Sequence, residues 1–180
     1  IALAFVARKK GYKIKVVMPR NVSVERVQLL EAYGAEIVFS DGAKGTNGAI
    51  VVAEEMAAGD DQYFMPYQYG NDANPLAHYE TTGVEIIEDL PEVDEIYVPI
   101  GGGGLAAGII IAIKEKKPNV RVIGVESSSF PSMKKSIDLG ELQTVDGKYT
   151  IADGISVKTP GKLTFEIIKN KCITCALWQG

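Results

Sequence analysis

The chain has 180 residues, 46% hydrophobic and 23% charged, which suits one sizeable domain or parts of two and excludes a disordered polymer. Its formal net charge of -4 offers no basic surface to nucleic acid or an anionic membrane. No apolar run approaches the roughly 20 residues of a membrane span, and two cysteines are too few for a disulfide scaffold, in keeping with a reducing cytoplasm.

The opening stretch, IALAFVARKK, carries an apolar stripe that predicts a helix over 1–10 stopped by Gly11. Neither an initiator Met nor a capping residue precedes it, so the chain is expected to be a piece of a longer protein. KIKVVMP (13–19) predicts a strand that ends at Pro19. SVERVQLLEAYG (23–34) predicts a helix capped by Ser23 and stopped by Gly34, and AEIVFS (35–40) a second strand. A helix is expected over 45–59. YFMPYQYGNDANP (63–75) starts as a strand and turns into a polar loop, and residues 76–90 read as a helix interrupted at Thr81, Thr82 and Gly83. EIYVPI (95–100) is an apolar strand, GLAAGIIIAIKEKKP (104–118) a helix and VRVIGVE (120–126) another strand. Residues 127–154 read mostly as loop and short helix, and NKCITCALWQG (170–180) offers no strand-to-helix context. This alternation predicts an α/β fold with parallel sheet. The loop around 59–75 divides the chain into 1–65 and 66–180.

Four consecutive glycines, Gly101 to Gly104, stand between the strand at 95–100 and the helix that follows. Without Cβ atoms, a strand-to-helix turn can present its N–H groups as a concave nest, and the helix adds the positive end of its dipole. Both features favour a phosphate. The competing reading is a tight turn, for which one or two glycines would suffice. A nucleotide-hydrolysing P-loop is poorly supported, because Leu105 and Ala106 stand where Lys and Ser or Thr are required. Gly101, Gly103 and Ala106 fit G-x-G-x-x-A, and Glu126 ends the next strand about where a ribose-binding acid would sit. The pattern alone therefore leaves a nicotinamide dinucleotide and a single-phosphate cofactor as alternatives.

VPIGGGGLAAGIIIAIKEKKPNVRVIGVE, together with ADGISVKTPGKLTF (152–165), resembles the threonine/serine dehydratases among the fold-type II pyridoxal-phosphate enzymes. Residues 12–87, including PYQYGN, are similar instead to cysteine synthase and cystathionine β-synthase. The resemblance implies a two-lobed α/β fold with parallel sheet, lacking both ends here, with 1–65 in the smaller lobe and 66–180 in the larger, cofactor-binding one. It implies pyridoxal 5'-phosphate as cofactor, held at its phosphate by Gly101, Gly102, Gly103, Gly104 and Leu105, with Gly154 beside its ring and Gln68 on the substrate carboxylate. Leu105 follows the dehydratase form, since cysteine synthases usually carry Thr there. Gln68 follows the synthase form, since dehydratases usually carry a His-Pro-Phe type segment.

The family's Schiff-base lysine would lie upstream of residue 1, and the residue facing the pyridine nitrogen beyond residue 180. The catalytic residues are therefore not in this chain, and the chain alone is expected to be poorly soluble, inactive and unable to form a Schiff base. The implied reaction is β-elimination from threonine or serine, giving a 2-oxo acid and ammonia. The alternatives are β-replacement on an activated serine and a nicotinamide-binding domain. A small amino-acid substrate, a homo-oligomer and a cytoplasmic location are implied for the intact protein.

Four other features are read conservatively. His78, the only histidine, is expected to be a surface or packing residue. Cys172 and Cys175 form one C-x-x-C with neither a second pair nor a nearby His, so no zinc site is expected. Glu126 aligns with a cation-binding glutamate of some serine racemases and dehydratases, but Ser132 stands near the place of its acidic partner, and no metal is expected. Lys114 to Lys117 form a solvated helix end.

Overall fold

A computed structural model describes residues 1–171 and 174–179 and divides them into two compact units, Ile1–Met65 and Pro66–Gly180. In the first unit, helix α1 (Ala2–Lys10) carries Arg8, Lys9 and Lys10 in its last turn, where positive charge suits the helix dipole. Gly11 closes it in the left-handed conformation at φ 76°, its N–H bonded to the Arg8 carbonyl at 3.2 Å. Strand β1 (Lys15–Pro19) pairs in parallel with β2 (Glu36–Ser40) across helix α2 (Val24–Ala32), with Lys15 opposite Glu36 and their ion pair at 2.9 Å. Ala4, Met18, Leu30 and Ala35 form the small core, and helix α3 (Gly45–Gly59) follows a single 3-10 turn. Ser23 stands at the start of α2 as expected, but its side chain makes no capping bond.

The second unit begins with a loop and two short helices, α4 (Ala73–Glu80) and α5 (Thr82–Asp89). They break at Thr81, as the TTG stretch suggested. The Thr81 hydroxyl donates to the Ala77 carbonyl at 2.7 Å, and its backbone at φ -120°, ψ -83° leaves the helical region. Strand β3 (Glu95–Pro99), helix α6 (Gly104–Lys116) and strand β4 (Arg121–Ser127) form one crossover unit. Helices α7 (Ser132–Leu139) and α8 (Lys162–Asn170) lead to strand β5 (Thr174–Trp178), so the parallel sheet runs β3-β4-β5. Helix α6 is buried nearly all round, and Ile110, Ile113, Val98, Ile100, Met133 and Ile168 centre the main core.

Two expectations fail. The strand expected at 63–65 does not form: no neighbouring strand pairs with it, Pro66 follows, and Phe64 is 85% exposed. Conversely, the tail, in which no strand was read, contains β5, whose residues pair with Ile123 to Ser127. Among the described residues no helix is long and apolar enough to cross a membrane. The C-x-x-C lies partly outside the described residues, because Cys172 is not among them. Cys175 is half-buried on β5, and burial pushes its thiol pKa up to about 12, leaving it a poor nucleophile.

Candidate functional site

The apolar alternation of β3 directs Ile96, Val98 and Ile100 into the core and delivers the chain to the four glycines at the strand's C-terminal end. Gly103 takes φ 95°, a conformation in which any other residue would be strained, and α6 begins at Gly104. None of the hydrogen bonds among the described residues uses the N–H groups of Gly101, Gly102, Gly103, Gly104 or Leu105. Gly103 is buried, and a buried N–H without a partner costs about 1–3 kcal/mol. A row of such donors at a helix N-terminus fits an anion.

These glycines and Leu105 line a cavity of about 260 Å³ in the second unit. Gly154 lines it too, with nothing within 4 Å of where a Cβ would stand, so that wall is open. Gln68 lines the cavity as well. It sits in a loop bent by Tyr67 at φ 46° and closed by a 3.0 Å bond from the Gly70 N–H to the Tyr67 carbonyl. The Asn71 amide donates to the Pro66 carbonyl at 2.7 Å, and the Asn74 amide to the Gln68 carbonyl at 3.0 Å. All seven residues singled out in the sequence as binding residues thus border one cavity.

Residues not singled out complete its wall. Tyr69 packs its ring against Gly102, where a Cβ would stand 2.5 Å from the ring, and burial pushes its phenol pKa up. Asn74 and Thr164 also face the cavity. Asn74 had a legible signal, since it lies in the same NDANP loop as Gln68, whereas Thr164 had none beyond the LTF pattern. His78 lines the cavity as well, half-buried, with Nδ1 3.0 Å from the Thr82 hydroxyl oxygen.

Glu126 meets a helix end. It is 1% exposed, and its Oε1 and Oε2 accept the N–H groups of Met133 and Lys134, each at 2.8 Å. Both oxygens are thus engaged by the first turn of α7. Among the described residues no group of three potential metal ligands gathers.

Burial raises the Glu126 carboxyl above its ordinary 4.5, and the N–H groups that bind the anion offset this only in part. A raised carboxyl in the folded state binds protons that the unfolded chain has already lost. The stability linked to that proton is present below 4.5 and is lost as pH rises through the folded-state value. Subtracting the Glu126→Gln melting curve from the wild-type curve should therefore give a difference that declines as pH rises above 4.5. A difference that is flat or rising would contradict the assignment.

The pyridoxal-phosphate dependent enzyme family model matches residues 1–177. The chain is 38% identical to an L-threonine ammonia-lyase of Thermotoga maritima over 93% of its own length and 41% of that protein's. It is 46% identical to a cysteine synthase of Flavobacterium sp. over 73% of its length and 43% of that protein's. It thus spans less than half of either relative. The solved structure of maize serine racemase superposes at a TM-score of 0.87 with 26% identity, over 99% of this chain and 53% of that one. With a family model across nearly its whole length and the serine racemase superposition across 99% of it, the chain belongs to the pyridoxal-phosphate-dependent enzymes of fold type II.

Proposed function

We propose that the second unit carries the phosphate cradle and one substrate wall of an enzyme that eliminates the β-hydroxyl of threonine or serine, giving a 2-oxo acid and ammonia. The observation that carries this reading is the row of unpartnered N–H groups from Gly101 to Leu105 on a cavity that Gln68 and Gly154 share. Those residues fit a phosphorylated ring: free N–H donors at a helix N-terminus, an open glycine wall and a side-chain amide all line the one cavity. In the bound enzyme the cofactor supplies an electron sink for the carbanion at the substrate α-carbon.

The chain's own residues position and exclude. The glycine N–H groups hold the phosphate, and Leu105, packed against the main core, keeps water from that side. Gln68 donates its side-chain amide to the substrate carboxylate, and Asn74 fixes its backbone through the Gln68 carbonyl. The unit Ile1–Met65 is assigned to the smaller lobe and the remainder to the larger. The proton-abstracting lysine comes from outside these residues, so this chain alone is inactive.

Leu105, the ADGI segment at 152–155 and the match to threonine ammonia-lyase across 93% of the chain support elimination. A cysteine synthase reaction is the second reading, favoured by Gln68 and by the 46% identity to the Flavobacterium enzyme. Supplying the full-length protein with pyridoxal phosphate separates them. We expect 2-oxobutanoate release from threonine to exceed cysteine formation from an activated serine plus sulfide. Dominant cysteine formation would replace elimination by the second reading, and neither product would overturn both.

A further inference from the structure

The Gly102 carbonyl is gripped from a distant part of the chain. Its oxygen accepts the Gly161 N–H at 3.2 Å and the hydroxyl of Thr164, 62 residues away in sequence. Thr164 is 3% exposed and sits in the first turn of α8, where its hydroxyl also lies 3.0 Å from the Gly161 carbonyl oxygen. A peptide unit is planar and trans, so its carbonyl and the next N–H point to opposite sides. Pinning the Gly102 carbonyl toward α8 therefore turns the Gly103 N–H away from α8. That buried N–H has no partner among the described residues, and Gly103 lines the cavity.

We infer that Thr164 is a positioning residue for phosphate: by holding the Gly102 carbonyl it aims the Gly103 N–H at the cofactor's phosphate group. This rests on the phosphate-cradle reading above. Two further contacts limit the loop's alternatives. A Cβ at Gly103 would stand 2.8 Å from the Thr164 hydroxyl oxygen and 3.0 Å from the Met133 methyl, so the Gly103 backbone lies packed against both side chains. With the hydroxyl gone, the Gly161 N–H remains as the single donor to the Gly102 carbonyl. The flipped peptide, whose carbonyl would face an anion, then becomes accessible.

The test compares two aldehydes that differ only in the phosphate. Pyridoxal phosphate and phosphate-free pyridoxal are titrated into the full-length wild-type protein, Thr164→Val and Thr164→Ser, with binding read from absorbance. Thr164→Val keeps the shape and removes the hydroxyl, and Thr164→Ser keeps the hydroxyl. For Thr164→Val, Kd for pyridoxal phosphate should rise about tenfold or more, as expected for a misdirected charge-assisted bond, while Kd for pyridoxal stays within about twofold. Thr164→Ser should restore the wild-type phosphate preference. A merely structural role would weaken both aldehydes equally, and that result would overturn the inference, as would an unchanged Kd. Should the valine variant not fold, Thr164→Ala against Thr164→Ser decides by the same ratio. If the wild-type protein shows no preference for the phosphorylated aldehyde, the cradle reading itself falls, and the inference falls with it.

Discussion

Gly103→Ala is expected to abolish detectable pyridoxal-phosphate binding by the full-length protein and to destabilise the unit that carries it. Two costs combine. At φ 95° an alanine is strained, at about 1–3 kcal/mol. Its methyl would also stand 2.8 Å from the Thr164 hydroxyl oxygen, 2.9 Å from the Thr164 Cβ and 3.0 Å from the Met133 methyl. Forcing a methyl group into a packed site costs about 1–3 kcal/mol more. The loop can relieve both only by turning its peptides, which removes the donors the phosphate needs. Urea unfolding followed by tryptophan and cofactor absorbance would check the two effects separately. Normal binding with normal stability would mean that the loop is not the rigid cradle described above.

Gly108→Val should be the other severe substitution, for a reason located outside the cofactor loop. Gly108 lies in the middle of α6, where glycine costs about 1 kcal/mol relative to alanine, so its presence needs a packing cause. That cause is α4: a Cβ at Gly108 would stand 2.3 Å from the Pro75 carbonyl oxygen, 2.6 Å from the His78 Cβ and 2.9 Å from the Tyr79 nitrogen. Two of these are backbone atoms, which cannot move without shifting the helix. A valine would push α4 off α6, carrying with it Asn74 and His78, both in the cavity wall. We expect a loss of about 3 kcal/mol in unfolding free energy and weaker substrate binding, read as a raised KM in the full-length enzyme. A variant as stable as wild type would show that α4 and α6 pack less closely than these distances state.

The two substitutions mark where local pattern stops being informative. Gly103 was legible: four glycines after an apolar strand are conspicuous, and the anion reading follows from backbone chemistry alone. Gly108 was not, because a lone glycine in an apolar helix says nothing about which helix crosses it. The partners of Glu126 were not legible. Its place at the end of a strand is visible, but its partners are the N–H groups of Met133 and Lys134, and whether a carboxylate meets a ribose, a cation or a helix end depends on where the next helix starts. The strand expected at 63–65 failed because a strand requires a neighbour, and β5 was overlooked for the converse reason, its partner β4 lying about 50 residues upstream.

By itself, then, the sequence determined the features that arise within a few residues: the alternation of strand and helix, the break at Thr81, the left-handed stop at Gly11, and the glycine turn at Gly101 to Gly104. Backbone dihedrals, side-chain periodicity and capping act over one or two turns, so each of these is written locally. Tertiary structure alone decided what surrounds the nest. It brought Gln68, Gly154 and Thr164 to one cavity, set the Thr164 hydroxyl on the Gly102 carbonyl across 62 residues, and spent Glu126 on a helix end. Hydrogen bonds of 3 Å or so are satisfied only when the parallel sheet and its crossover helices bring the partners together. No spacing along the chain encodes that.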